Sequence, residues 1–136
     1  MRLAFFAALA FLVPQARAEE PHDASPHALC EAHADAMLSA LGEAKYDAAM
    51  ADFDEALRAR YPAAKLKQDY EWLPSNYGKV RGRGRAHSAE VNGRTVVMTP
   101  LFFENGTVTV DVHCDGAGAI TDLRLLPTQA MGQPLP

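Results

Sequence analysis

From Ser25 to Leu73 apolar residues recur at helical spacing, and from Lys79 to Leu125 they alternate, so the change of period divides the chain into a helical half and a strand half. Ser25-Pro26 supplies an N-cap followed by proline at the first helical position, and Gly42 supplies a stop. Between them Cys30, Ala34, Met37 and Leu41 form one inward stripe. A second helix is predicted from Tyr46 to Arg60, with Tyr46, Met50, Phe53 and Leu57 on one face and Asp47, Asp52, Glu55 and Arg58 turned away. Pro62 interrupts the pattern, and a third, shorter helix passes through Leu66, Tyr70 and Leu73 before Pro74 and Gly78. At this spacing the aromatics and methionine read as core rather than as a ligand box.

Asn92-Gly93 and Asn105-Gly106 are hairpin signals, and Asp115-Gly116-Ala117-Gly118 makes a third turn. Four antiparallel strands follow, at about 79–91, 94–104, 107–114 and 119–126. Two-residue loops pair Ser88 with Val97, Gly84 with Leu101, Phe103 with Val108 and Val97 with Cys114. Both turns put the apolar residues on the same side, which fixes the face that the helices cover. The expected fold is α+β, with three N-terminal helices packed on one face of a four-stranded antiparallel meander sheet.

Residues 111–116 read DVHCDG, an Asp, a His and a Cys close enough to suggest a thiol nucleophile with its base. Alternation puts Asp111 and His113 on the polar face and Cys114 on the apolar one, which argues against a Cys–His pair. Cys114 instead faces the helices, toward the stripe that carries Cys30, and a Cys30–Cys114 disulfide is expected.

The compartment supports that pairing. The chain opens MRLAFFAALAFLVPQARA: Arg2, an apolar run from Leu3 to Val13, Pro14, then Ala16-Arg17-Ala18. This is the layout of a secretory signal peptide cut after Ala18, with a run too short to span a bilayer permanently. The expected organisation is a signal peptide over 1–18, a flexible arm over 19–25, a domain over 26–127 and a tail over 128–136, exported to the periplasm or secreted. Formal charge is −4 and falls further once Arg2 and Arg17 are removed. Such an acidic domain is a poor partner for nucleic acid or anionic lipid, and no membrane span is expected.

Two tracts carry a resemblance. LGEAKYDAAMADFDEAL, with Tyr46-Asp47 and Phe53-Asp54, resembles the second-helix signature of the domain-of-unknown-function family 3887. VVMTPLFFENGTVTVDVHCDGAGAITDLRLLP is similar to that family's ending, with Phe103-Glu104-Asn105-Gly106 and Asp115 to Ile120 in the hairpin and strand-pair positions. The resemblance covers roughly residues 28–127 and implies a cystatin-like roll, a cone of the nuclear-transport-factor-two type, found alone after a signal or ahead of an α/β-hydrolase domain. It implies no catalytic residue. His113-Cys114 departs from the family's apolar pattern, and no G-x-S-x-G nucleophile elbow is present in the sequence.

On the outer face Arg81, Arg83 and Arg85 alternate with Gly82 and Gly84 and form a candidate partner-binding row for carboxylates, or a merely solvated strand. Asp111 is expected across from Asp122, a pair able to share a proton or to be compensated by Arg124 and Arg85. His87 and His113 flank Met98 about 10 Å apart, too far for one ion, so no metal and no cofactor is assigned. On the inner face Gly84, Ala86 and Ser88 beside Thr99 form a lane almost without side chains. Either a helix settles there or a cavity remains for a small apolar ligand, and these four are the candidate ligand-binding residues. With no inward ionisable pair, no catalytic residue is assigned. The expected role is an exported small domain that binds an apolar ligand or a partner protein. The alternative is an enzyme using the cone interior, hydrolase- or isomerase-like, or an accessory to a separately encoded α/β-hydrolase.

Overall fold

The computed structural model describes residues 25–128; the signal-peptide expectation, most of the arm and nearly all of the tail lie outside the described residues. Four helices, α1 (Pro26–Gly42), α2 (Tyr46–Ala49), α3 (Glu55–Arg60) and α4 (Ala63–Tyr77), precede five strands. These are β1 (Val80–Arg83), β2 (His87–Val91), β3 (Arg94–Phe103), β4 (Gly106–Cys114) and β5 (Ile120–Thr128). All pairings between these strands are antiparallel, with β5 on β4, β4 on β3, and β1 and β2 both on the far side of β3. The α+β class is as expected, while one predicted helix and one predicted strand are each divided in two.

Ser25 caps α1 by accepting the Ala28 N–H, and Cys30, Ala34, Met37 and Leu41 are buried on one side, as their spacing requires. The helix predicted over Tyr46–Arg60 breaks because two stronger local partners compete for its backbone. The Asp54 carboxylate takes the Leu57 N–H at 2.7 Å as an N-cap for α3, and residues 52–54 pair with Ile120, whose N–H donates to Asp52 and whose carbonyl accepts from Asp54. Helices of four and six residues do not persist alone. Burial of Ala49, Phe53 and Leu57 holds them, at about 1.5–3 kcal/mol for each large apolar side chain.

Pro74 does not end the third predicted helix. α4 runs to Tyr77 and stops at Gly78, whose φ of 79° is the left-handed geometry that glycine tolerates. The Ser75 hydroxyl and Asn76 amide donate to the carbonyls of Glu71 and Trp72, adding donors to the turn where proline removes one.

The Asn92-Gly93 turn gives the expected register, Ser88 opposite Val97. The next hairpin is displaced by two residues. Phe103 pairs with Gly106, and Glu104-Asn105 form the loop. The cause is contact with α4: the Asn105 N–H donates to the Tyr77 carbonyl, and a Cβ on Gly106 would lie 2.9 Å from the Tyr77 ring. A shift of two preserves the face, so Val108, Val110, Val112 and Cys114 remain inward and buried.

The predicted first strand breaks at 84–86, and β1 lies one register step away from β2. Arg83, not Gly84, is opposite Leu101. In the last turn the Asp115 side chain accepts from the Ala117 and Ala119 N–H groups, and His33 on α1 donates from Nδ1 to the Gly118 carbonyl at 2.6 Å. A register shift before Cys114 brings Ile120 into the core, with Leu123 and Leu125 following on the inner face. Cys30 and Cys114 are joined in a disulfide that ties α1 to the end of β4.

Candidate functional site

The lane of small residues seats a helix. α1 brings Glu31, Ala34, Asp35 and Leu38 against Gly84, Ala86, Val97 and Thr99, leaving a cleft of about 80 Å³, below the roughly 300 Å³ at which small-molecule pockets begin. Ser88 does not line it and donates its hydroxyl to Glu31. Gly84 is small for a different reason from the expected one: a Cβ there would lie 2.5 Å from the Pro100 ring and 3.0 Å from Phe102, and its N–H donates to the Pro100 carbonyl. Gly84→Ala is therefore expected to cost about 1–3 kcal/mol in urea unfolding as an overpacked contact. A variant as stable as wild type would show that the ring moves aside freely.

The three arginines do not share a face. The register shift between Val80 and Gly82 turns Arg83 toward α1, where its guanidinium meets the Asp35 carboxylate at 2.9 Å. Arg81 and Arg85 are exposed. The expected Asp111–Asp122 opposition is also corrected. Asp111 lies opposite Arg124, while Asp122 lies opposite His113, accepts from Arg124 Nε at 3.0 Å and is reached by Arg60. Burial raises the Asp111 carboxyl above its ordinary value, against the opposing charges of His113 and Arg124. Across β3, His87 pairs with Met98 and His113 with Val96. No group of three or more metal-ligating side chains occurs among the described residues.

A different place offers room. The inner residues of β5, Leu123, Leu125 and Pro127, face Leu73 and Trp72 of α4 and Tyr61 beyond α3 across a cleft of about 380 Å³. Trp72 is 51% exposed although it adjoins an apolar wall, and its ring stands edge-on to Tyr77 at 5.9 Å.

One end of the cleft is polar. The Tyr61 hydroxyl donates to Asp69 Oδ2 at 2.5 Å, and Lys65 Nζ donates to the same oxygen at 2.8 Å. The Lys65 ammonium also stands 5.0 Å from the Tyr61 ring centroid. Burial, with the hydrogen bond to Asp69, holds the Tyr61 phenol far above the usual tyrosine range. Burial pushes the Asp69 carboxyl up, but hydrogen bonds from Lys65 and Tyr61 outweigh it and leave it below the ordinary value. At neutral pH the phenol keeps its proton and the carboxylate its charge.

Tyr61, Asp69 and Trp72 were not candidates in the sequence. Tyr61 follows the predicted second helix, and Asp69 and Trp72 lie outside the buried stripe of the third. The available signal was Tyr61, Lys65 and Asp69 at successive intervals of four residues, with Trp72 beside the buried Leu73.

Comparison with family models, with curated proteins and with solved structures returns no match.

Proposed function

We propose that this chain is an exported binding domain of the cystatin-like cone type, and that it holds a small, largely apolar ligand in the cleft between α4 and β5. The observation that carries the reading is a 380 Å³ cleft with an exposed Trp72 and a leucine-lined wall, bordered at one end by Tyr61 and Asp69. The cleft falls in the size range of small-molecule sites, which the small-residue lane does not reach. Export is supported by the signal-like opening and the disulfide. Binding is favoured over catalysis because the polar groups at the cleft are engaged with one another, Tyr61 and Lys65 both donating to Asp69.

Native mass spectrometry of protein purified from its own host tests this. Wild type is expected to carry a small-molecule adduct that is released on denaturation. Leu125→Trp places a bulky ring in the wall of the cleft and is expected to weaken or lose the adduct while remaining folded. Retention of the same adduct at wild-type occupancy by this narrowed variant would move the site elsewhere.

A further inference from the structure

The polar end of the cleft carries a carboxylate whose two protein donors share one oxygen. Of the described residues lining it, Asp69 alone carries a charge, and two aromatic side chains, Tyr61 and Trp72, lie along the same cleft. Both protein donors to Asp69 land on Oδ2. Oδ1 has no hydrogen-bond donor among the described residues. The chain already displays the chemistry in miniature, because the Lys65 ammonium bonds the carboxylate while standing over the Tyr61 ring. An anionic head group would meet the Asp69 charge directly, whereas Lys65, the compensating cation, is not part of the lining. The formal charge of −4 adds a weak bias in the same direction.

We propose that the ligand is an organic cation: an apolar body against Leu123, Leu125 and Trp72, bearing an ammonium group that takes Asp69 Oδ1 and an aromatic face. This rests on the α4–β5 cleft being the binding site, and the experiment separates the two ideas.

Octylammonium and octanoate share one apolar body and carry opposite heads, so each is titrated into the full-length protein at neutral pH with Trp72 emission as the readout. Octylammonium is expected to bind roughly tenfold tighter, the scale of a desolvated cation–aromatic contact with a carboxylate. Asp69→Asn should bring the two affinities together. Lys65→Met should tighten octylammonium further, because it removes the internal ammonium that competes for the carboxylate and ring, an effect that mere loss of structure does not produce. Equal affinities, or preference for octanoate, overturn the cation assignment and leave the cleft intact as a binding site. If Leu125→Trp binds both compounds as wild type does, by calorimetry, the cleft itself is excluded and both proposals fall.

Discussion

Replacing Cys30 and Cys114 together by alanine is expected to lower stability by about 3–5 kcal/mol. The two residues are 84 apart in sequence, so the crosslink closes most of the described chain into one loop and restricts the unfolded ensemble accordingly. Both side chains are fully buried, and their truncation also removes packing between α1 and the end of β4. Urea unfolding of the oxidised wild type beside the double variant measures the difference. Wild type in reductant should approach the variant. A loss under about 1 kcal/mol would mean that the unfolded chain is already compact enough for the crosslink to restrict little.

Leu66→Ala should cost about 2–5 kcal/mol, the range for a leucine removed from a closed core. Leu66 is 0% exposed and Leu73 is 2% exposed, and they are the two buried anchors of α4. No covalent link holds this helix to the sheet, in contrast to α1. Truncating the first anchor therefore acts on the cleft as well as on stability, since α4 supplies Asp69, Trp72 and Leu73 to it. The urea midpoint reports the first effect. A midpoint within error of wild type would show that neighbouring side chains collapse into the vacated space.

Much of the frame was legible because buried faces impose periods. Cys30, Ala34, Met37 and Leu41 repeat as a helix does, and the alternation from Val108 to Cys114 survived even a two-residue error at its turn. What escaped were the points where a polar group or a neighbour overrides the period. Asp54 reads as an outward helical residue until its carboxylate caps the next helix. Arg83 reads as part of an outer row until a one-step slip on β3 turns it to Asp35. The cleft was invisible for a related reason: Leu123 and Leu125 carry the signature of core, and sequence does not tell how far α4 stands from them.

That one-step slip has a consequence for how copies of the chain meet one another. A sheet ends in rows of unpaired backbone donors and acceptors, which recruit strands from other molecules unless they are interrupted. On the β3 side the outer row is split between β1, four residues long, and β2, five residues long, set in different registers with 84–86 between them. A foreign strand that matches one segment is out of step with the other, and exposed Arg85 lies within the break while exposed Arg81 stands on β1. On the opposite side β5 lacks a donor at Pro127, and Arg60 already occupies the Thr121 carbonyl at 2.6 Å. The irregularities that defeat a simple reading of the strands thus interrupt the rows along which an edge-to-edge strand would add.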